Sequence, residues 1–422
     1  MRVMVVGGGA REHVLVWKIS RNSSISKIYA CPGNAGVCAS AECISVDSGD
    51  NKALVGFAED NQIDLTVIGP EAPLTNGVVD AFTARGLRVF GPNREAAAME
   101  GSKKFAKEIM RKAKVDAAKS ETFIDAPAAL KYLDEVGVPI VVKADGLAAG
   151  KGVTVCETID QAKQAVKECL IDKRFGAAGD TVMIEEYLTG PELTVMAFTD
   201  GETVLPMLPA QDHKPVFDSD TGPNTGGMGA YSPVPKVGKD TLDFIEDKVL
   251  RPTIAQLRND GIIYKGVLYA GLILTDRGPV VLEYNCRFGD PEAQVVLPLL
   301  ESDIVEVMLA TTEGNLKDYK LNWSNQVCVS VVMASGGYPG DYPSGYEITG
   351  IELLGSMPDV MIFHAGTKRK DSKLVTAGGR VLNVVGLGKD VLEARDKAYA
   401  AVERIKFDGA HYRHDIALKA IS

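Results

Sequence analysis

The first hundred residues alternate short apolar runs with amphipathic helical stretches. The apolar runs cover residues 2–6, 27–30, 65–68 and 87–90, and each leads into a turn rich in Gly or Pro. Strands separated by helices imply right-handed crossovers and a parallel sheet. Because ligands of such sheets bind at the carboxyl ends of the strands, we expect a binding site in the loops that follow these runs.

The glycine cluster after the first strand does not fit a dinucleotide-binding motif. Gly7 and Gly9 are placed for G-x-G-x-x-G, but Glu12 stands at the last position. The second strand ends in Cys-Pro-Gly, where a ribose-binding Asp or Glu is expected. The pattern therefore disfavours a nicotinamide cofactor. It still fits an anion at the start of the next helix, where free backbone N–H groups and the helix dipole collect.

A second glycine-rich loop, at residues 144–152, lies between two β segments. A Walker P-loop needs four residues between its glycines and a helix behind it, whereas this loop has three residues there and a strand behind. We therefore predict a mobile hairpin that closes over phosphates with backbone N–H groups and Lys151, supported by Lys143. The alternative is a flexible surface hairpin.

Two further segments place polar side chains beside apolar strands. The strand at 182–188 turns into a loop before Glu192, whose carboxylate can accept both hydroxyls of a ribose. Residues 211–229 form a long polar stretch, dense in glycine, that contains Asp212, His213 and Lys214. Long loops without regular structure are usually functional or disordered. We predict a functional loop here, with disorder as the alternative.

Residues 280–292 change abruptly from an apolar strand to a charged segment. Because strand side chains alternate between faces, Glu283 and Asn285 point to the same side, and Arg287 follows two positions later. These oxygen donors suit Mg²⁺, which takes one or two carboxylates together with phosphate oxygens. The alternative is a solvent-facing strand end with a loop salt bridge.

Three further features concern the strand before this segment, the cysteine within it and a histidine near the C-terminus. The strand at 266–274 is expected to pair with it in antiparallel fashion through a turn at Gly278-Pro279. Cys286 has no histidine nearby in sequence to activate it, so packing is favoured over a nucleophilic role. In the last segment, His364 is open to a packing role or a ligand role.

Composition narrows the classes of partner. A formal charge of −10 and a pI near 5.2 argue against nucleic-acid or anionic-membrane binding, which need a basic face. No long apolar run that could span a membrane occurs. The seven cysteines show no C-x-x-C spacing and are predicted to be reduced thiols in a cytoplasmic protein.

Longer strings occur in a characteristic order along the chain. They are GGGAREH, GNAG, GPEAPL, GSK, VVKADGLAAGKG, EEYL, DHK, TGPNTGGMGAY, EYNCRFGDPE, GGYPG, FHAGT and GGRVL. From end to end, this order resembles the phosphoribosylamine–glycine ligase (glycinamide ribonucleotide synthetase) family of the ATP-grasp superfamily.

The resemblance implies an ATP-dependent ligase of de novo purine (IMP) biosynthesis. Such an enzyme joins glycine to 5-phosphoribosylamine through glycyl phosphate and gives glycinamide ribonucleotide, ADP and phosphate. ATP is then a co-substrate, and Mg²⁺ or Mn²⁺ is the implied metal. The implied partners are these small molecules, without nucleic acid or membrane, and the protein is expected to be a monomer or weak dimer.

The resemblance also implies roles for individual residues. It places ATP at Lys103, Lys143, Gly146, Gly150, Lys151, Gly152, Glu185, Glu186, Tyr187, Leu188 and Glu192. It places the other substrates at Gly9, Glu12, Asn34, Glu71, Asp212, Lys214, Asn224, Thr225, Gly226 and Arg287. It makes Arg287 and Lys143 catalytic residues, and Glu283 and Asn285 metal ligands.

The chain departs from the family's pattern in three places. Gly8 and Ala10 stand where Ser and Gly are expected, and the segment 189–192 replaces a double-acid segment but keeps Glu192. The segment 215–219, PVFDS, replaces a basic, glycine-rich one. This last change leaves open how the substrate loop packs.

The fold class expected from all these features is α/β and α+β multidomain. Residues 1–101 are predicted to form a parallel-sheet (Rossmann-like) substrate domain. Residues 102–324 are predicted to form the ATP-grasp lobes, with a mobile lid at about 115–190, and residues 325–422 a small, separate α+β domain.

Overall fold

The computed structural model describes residues 1–147 and 152–421 and begins with a five-stranded parallel sheet in the order β3-β2-β1-β4-β5. Its strands are β1 (Arg2–Gly7), β2 (Lys27–Pro32), β3 (Glu42–Cys43), β4 (Leu65–Ile68) and β5 (Val89–Phe90). The helices of this part of the chain are α1 (Ala10–Ile19), α2 (Val37–Ser40), α3 (Asn51–Asp60), α4 (Glu71–Thr75), α5 (Val78–Thr83), α6 (Arg94–Gly101) and α7 (Lys103–Ala113). The residues of β4 are all buried, as expected for a central parallel strand. The predicted parallel sheet is confirmed, with β3 as an addition.

Residues 120–186 form an antiparallel sheet of their own, in the order β6-β9-β7-β8. Its elements are β6 (Ser120–Phe123), α8 (Ala126–Val136), β7 (Ile140–Ala144), β8 (Val153–Cys156), α9 (Ile159–Leu170) and β9 (Val182–Glu186). The two helices pack against each other and against the sheet, and Leu133, Val142 and Val166 belong to a separate apolar core. The glycine-rich loop does join two antiparallel strands, as predicted, and its residues 148–151 lie outside the described part of the chain.

The next sheet delivers the charged segment that the sequence singled out. The strands after the small sheet are β10 (Glu192–Thr199), β11 (Val204–Pro206), β12 (Gln211–Asp212), β13 (Pro215–Phe217), β14 (Thr221–Asn224), β15 (Gly229–Ser232), β16 (Gly266–Thr275) and β17 (Gly278–Asn285). Four of these strands form an antiparallel sheet in the order β11-β10-β16-β17. The predicted pairing of β16 with β17 is confirmed. The predicted turn at Gly278-Pro279 is wrong, because Asp276 and Arg277 form the turn and Gly278 already pairs with Thr275.

The polar stretch at 211–229 is not the long irregular loop that its composition predicted. Strands β13 and β14 form a hairpin, with Pro215 opposite Asn224 and Phe217 opposite Thr221. Polar residues and glycine hid this hairpin, since it has little apolar alternation to reveal it. The departure at 215–219 thus forms the first strand of the hairpin and part of its tip.

A second five-stranded sheet joins this middle part to the C-terminal part. Its order is β12-β15-β18-β22-β19. The C-terminal strands are β18 (Val327–Ala334), β19 (Val360–His364), β20 (Thr367–Lys370), β21 (Lys373–Thr376) and β22 (Arg380–Gly388). Strand β15 pairs with β18, so the C-terminal strands continue a sheet that begins at residue 211.

The remaining helices are short. They are α10 (Lys239–Ile245), α11 (Arg251–Asn259), α12 (Ala293–Val296), α13 (Ile304–Glu313) and α14 (Val391–Val402), with a π-helical turn at Glu246–Leu250 and 3₁₀ turns at Gly176–Gly179, Asp218–Asp220, Leu297–Leu299, Ile351–Ser356 and Leu418–Ala420. Among the described residues, no helix has both the length and the apolar character needed to cross a membrane.

The prediction that all seven cysteines are reduced thiols is wrong for two of them. Cys38 and Cys43 form a disulfide between α2 and β3, with Cα atoms 5.3 Å apart. That separation lies within the range a disulfide spans, and the short connection between the two elements brings it about. The other five cysteines are free and buried.

Candidate active site

The metal ligands proposed from the sequence lie at the end of β17, where a bulge precedes them in the pairing with β16. Neither the carboxylate of Glu283 nor the amide of Asn285 has a hydrogen-bond or ion-pair partner among the described residues, whereas Tyr284 between them is buried in the core. Burial lowers the pKa of Lys103, and the nearby carboxylate of Glu283 opposes that shift. The two oxygen donors are therefore available beside a lysine.

A buried carboxylate joins two lysines on the small sheet. Lys143 of β7 pairs with Glu185 of β9, and Lys107 of α7 pairs with the same carboxylate at 2.6 Å. Sequence reasoning assigned Lys143 and Glu185 to ATP but missed Lys107. Lys107 lies four residues after Lys103 and thus on the same face of α7, which is a signal that could have found it.

The base of the glycine-rich hairpin is tied to the start of α7. The carboxylate of Asp145 accepts hydrogen bonds from the backbone N–H of Lys104 at 2.7 Å and from the hydroxyl of Ser102 at 3.2 Å. The Lys103 ammonium lies 3.4 Å from the carbonyl oxygen of Gly146. A cleft of about 440 Å³ opens beside this contact, lined in part by Asp145 and Gly146. The predicted ATP residues Gly150 and Lys151 lie outside the described residues, while Gly152 accepts a backbone hydrogen bond from Ala144.

The predicted ATP residues Glu185 to Leu188 lie at the end of β9 and just after it. Glu186 accepts hydrogen bonds from the backbone of Lys119 and from Arg277 in the β16–β17 turn, both at 3.0 Å. Tyr187 is exposed, and Leu188 is half-buried. The carboxylate of Glu186 is therefore already hydrogen-bonded within the protein, whereas the two residues after β9 are at least partly accessible to solvent.

Glu192, Asp212 and Lys214 form one cluster at the start of β10 and the end of β12. The Lys214 ammonium lies 2.5 Å from a carboxylate oxygen of Glu192 and 3.1 Å from one of Asp212. The charge of Lys214 lowers the pKa of Glu192, whereas burial raises the pKa of Asp212. Burial opposes the charge of Lys214, but its two carboxylate neighbours hold its pKa well above the usual value.

Arg287 lies just after β17 between two carboxylates from the N-terminal part of the chain. Its Nε lies 3.2 Å from Glu71 of α4, and one terminal nitrogen lies 2.7 Å from Glu100 of α6. Burial disfavours the ionised form of Glu71, but Arg287 and Arg11 outweigh it and lower the pKa of that carboxyl. Sequence reasoning placed Glu71 and Arg287 in one site and missed Glu100, for which no local pattern signals a role.

Glu100 also fixes Cys286. Its second carboxylate oxygen accepts hydrogen bonds from the backbone N–H of Cys286 at 2.8 Å and from the thiol at 3.1 Å. Burial raises the pKa of this thiol well above its usual value, and the Glu100 charge adds to the effect. A protonated, buried thiol is a poor nucleophile, which agrees with the packing role expected for Cys286.

The start of α1 lies at the same edge of the structure. Glu12 is buried, accepts a hydrogen bond from the backbone N–H of Gly9 at 2.5 Å and pairs with Arg11 at 2.7 Å. A Cβ atom on Gly69 would lie 2.1 Å from a Glu12 oxygen, so this carboxylate fills the space between the strand ends. Glu12 thus shapes the loop, while the Gly9 region faces Asp290.

Asn34 connects the N-terminal sheet to β19. Its amide nitrogen donates to the carbonyl of Gly8 at 2.9 Å and to that of His364 at 2.7 Å. Its oxygen accepts hydrogen bonds from the backbone N–H groups of Gly36 and Val37. All its polar atoms are therefore engaged by the protein.

The remaining predicted substrate residues follow β14. The backbone N–H and the hydroxyl of Thr225 both donate to the carbonyl of Lys214, at 2.9 and 2.7 Å. Arg380 donates to the carbonyl oxygens of Gly226 and Asp290, both at 2.7 Å, while Asn224 is exposed. Arg380 thereby ties the segment to Asp290, a contact that sequence reasoning did not anticipate.

Comparison with family models defines the class of protein first. The ATP-grasp (A) domain model of phosphoribosylglycinamide synthetase matches residues 101–293, and its N domain and C domain models match residues 1–100 and 328–419. Lys103, Lys107 and Lys143, the small sheet and the end of β17 all lie in the ATP-grasp match. The class is therefore that of the ATP-grasp proteins.

Similarity to individual proteins extends along the whole chain. A phosphoribosylamine–glycine ligase of Caldanaerobacter subterraneus subsp. tengcongensis is 49% identical over 417 residues, which are 99% of each chain. The trifunctional purine biosynthetic protein adenosine-3 of Gallus gallus is 48% identical over all of this chain and 42% of its own length. The crystal structure of a phosphoribosylamine–glycine ligase from Thermotoga maritima superposes with a TM-score of 0.87 at 34% identity, covering 99% of this chain and 100% of that one. The chain belongs to the phosphoribosylglycinamide synthetase family, which confirms the resemblance and the fold class expected from the sequence.

The contacts of Glu100 predict the effect of replacing it. Glu100→Gln removes the charge opposite Arg287 in a buried pair, although Glu71 remains. We expect the free energy of unfolding to fall by about 2–3 kcal/mol, and turnover to fall because Arg287 and the chain after β17 lose their alignment. Chemical denaturation and steady-state rates measure the two effects. Glu95→Gln, an exposed change on the same helix, is the matched control, and equal behaviour of the two variants would contradict this role.

Proposed function

We propose that this chain joins glycine to 5-phosphoribosylamine with cleavage of ATP to ADP and phosphate, forming glycinamide ribonucleotide in purine biosynthesis. The class, an ATP-dependent ligase of this family, is confirmed by the family models and the curated relatives. The observation that carries the site assignment is the meeting of β17 with two groups of charges: the Lys103, Lys107 and Lys143 set and the Arg287, Glu71 and Glu100 set.

The first step follows from the weak reactivity of a carboxylate. An oxygen of the glycine carboxylate attacks the γ-phosphorus of ATP, the bond to the bridging oxygen breaks, and ADP leaves with glycyl phosphate formed. Charge spreads over the phosphoryl oxygens during this transfer. Lys103 and Lys143 lie where they can stabilise it, and the backbone N–H groups of the glycine-rich hairpin complete the proposed phosphate site.

The second step makes the new bond. The amino nitrogen of phosphoribosylamine attacks the acyl carbon, phosphate leaves with the former carboxylate oxygen, and the nitrogen loses a proton. Here Arg287 acts on the developing acyl and phosphoryl charge, held at a fixed orientation by Glu71 and Glu100. Closure of the lid at about 115–190 over the site excludes water, which would otherwise hydrolyse the acyl phosphate.

A divalent metal fits the donor set of this chain. Glu283 and Asn285 offer two oxygen donors with no protein partner among the described residues, which suits Mg²⁺ or Mn²⁺ that also binds phosphate. When bound, the metal would neutralise charge on the ATP phosphates. No group of three His, Cys, Asp or Glu side chains in the described ranges forms a complete metal site, so phosphate oxygens and water would supply the remaining ligands.

The organisation around this site belongs to the same proposal. The domains are proposed at residues 1–101, 102–324 and 325–422, and the sheet order supports the lid as a unit because β6–β9 have their own core. ATP is proposed to lie between the lid and the β10–β17 sheet, with Glu185–Leu188 along adenine and Glu192 at the ribose. The protein is proposed to work in the cytoplasm on small molecules, as a monomer or weak dimer.

A coupled assay of ADP release tests the function. With freshly prepared phosphoribosylamine, Mg²⁺ and ATP, we expect ADP release that depends on glycine, because only a carboxylate that fits the site can accept the phosphoryl group. Aspartate and bicarbonate are the matched alternatives. ADP release with aspartate or bicarbonate and not with glycine would overturn the substrate assignment. No ADP release with any of the three would instead indicate a nucleotide-binding module without catalysis.

Glu283→Ala tests the metal site. The substitution removes the one carboxylate of the donor pair from a half-buried position, so we expect the fold to persist and kcat to fall by about a hundredfold or more. Circular dichroism and steady-state kinetics over a range of Mg²⁺ concentrations measure both. Glu301→Ala, an exposed change outside the site, is the control. Near-normal turnover at saturating Mg²⁺ would exclude Glu283 as a ligand.

A further inference from the structure

The C-terminal tail, defined here as residues 411–419, runs beside the β13–β14 hairpin and contacts it along its length. The ring nitrogen Nε2 of His411 lies 2.8 Å from the carbonyl oxygen of Val216. The backbone N–H of His414 donates to the Asp218 carboxylate at 2.7 Å, and Asp415 accepts from the backbone N–H of Ser219 at 2.8 Å. The hairpin tip is therefore bound by the tail through both backbone and side-chain groups.

Arg413 is the centre of these contacts, and its side chain is fully buried. One terminal nitrogen donates to the carbonyl of Pro215 and to the carboxylate of Asp220, both at 3.0 Å. Its Nε and other terminal nitrogen donate to Asp415 at 2.8 and 2.7 Å. A planar guanidinium thus fixes the first residue of β13 relative to the residue just before β14, which a lysine could not do with one ammonium group.

The two ends that Arg413 fixes lead directly to the proposed substrate residues. Pro215 follows Lys214, whose ammonium pairs with Glu192 and Asp212, and it lies opposite Asn224 in the hairpin. The carbonyl of Lys214 in turn accepts two hydrogen bonds from Thr225. A shift of the hairpin would therefore move Lys214 and the segment after β14 together.

We propose that Arg413 is a positioning residue for the substrate segment 214–226, acting through Pro215 and Asp220, so that the C-terminal tail sets the affinity for phosphoribosylamine. This role deepens the proposed function and rests on it. The guanidinium of Arg413 is engaged by Pro215, Asp220 and Asp415, so its effect is carried by the hairpin. The segment PVFDS, which departs from the family's pattern, is thereby held by the tail through its carbonyl groups, Asp218 and Ser219.

Steady-state kinetics of Arg413→Met and Arg413→Lys test the proposal. We expect KM for phosphoribosylamine to rise by about ten- to a hundredfold in Arg413→Met, with a smaller rise in KM for ATP, because misplaced binding groups weaken a site steeply. Arg413→Lys should recover part of the loss. Asp220→Asn removes the partner charge with less risk to folding and should raise the same KM.

Arg395→Met is the matched control. Arg395 also anchors the tail, through the carbonyl groups of His414 and Ile416, but makes no contact with the hairpin. An equal rise in KM in Arg395→Met at equal loss of thermal stability would show a general effect of stability and overturn the proposal. Unchanged KM values in both Arg413→Met and Asp220→Asn would overturn it as well.

Hydrogen exchange separates this inference from the proposed function. In the protein without substrates, Arg413→Met should speed amide exchange in residues 214–226 and leave the β1–β4 sheet unchanged. Unchanged exchange in the hairpin would reject the positioning role even if the wild-type enzyme turns over glycine. If Arg413→Met exchanges faster in residues 214–226 but the wild-type protein releases no ADP, the proposed function is rejected. The structural link between the tail and the hairpin would then still hold.

Discussion

The ion pairs of the partly buried Arg287 guanidinium with Glu71 and Glu100 are the interactions on which the geometry of the site depends. Glu71 comes from α4, Glu100 from α6, and Arg287 from the end of β17, so one side chain joins the N-terminal part of the chain to the ATP-grasp sheet. A buried charge without its partner is costly, which makes this arrangement sensitive to the loss of either carboxylate. Glu100 also holds the backbone of Cys286 and thereby fixes the direction in which the chain leaves β17.

The ion pairs of Arg287 also explain why the two proposed steps, phosphoryl transfer and amide formation, take place at the end of the same strand. At the end of β17, the oxygen donors of Glu283 and Asn285 have no hydrogen-bond or ion-pair partner in the part of the chain that the structure describes, and Glu283 lies near the charge of Lys103. Just beyond the strand, Arg287 lies near Arg11 of α1, and Arg11 in turn lies near Asp290. In the proposed mechanism, the end of β17 therefore brings the glycine carboxylate to the phosphate-binding lysines and to Arg287. The protein then contributes position and charge, and no covalent bond to the enzyme is needed.

Much of the fold followed from local patterns, and the long-range contacts did not. The apolar runs at 2–6 and 65–68 predicted parallel strands because their period and their Gly and Pro turns are strong signals. The β13–β14 hairpin was missed because polar residues and glycine carry no alternation. The pairing of β15 with β18, about a hundred residues apart in sequence, has no local signature at all. The Cys38–Cys43 disulfide was missed because composition and compartment, which guided the prediction, do not report the distance between two particular residues.

The site shows the same division. Chemical type and spacing brought Lys143, Glu192, Glu283 and Arg287 forward. The structure places Glu192 within electrostatic reach of Lys143, and Glu283 within electrostatic reach of Lys103. Sequence alone could not show that the polar atoms of Glu12 and Asn34 bond to the protein itself, or that Arg413 holds the β13–β14 hairpin from near the other end of the chain. Those roles come from packing between segments that lie far apart in sequence.

The central claim is that the glycine carboxylate is activated by phosphoryl transfer at the end of β17. Glycine labelled with ¹⁸O in its carboxylate tests this most directly, by mass analysis of the phosphate released during turnover. The account predicts that one labelled oxygen passes from each glycine to phosphate, because phosphate leaves with a former carboxylate oxygen. Phosphate that carries no label from glycine, with normal formation of product, would contradict it.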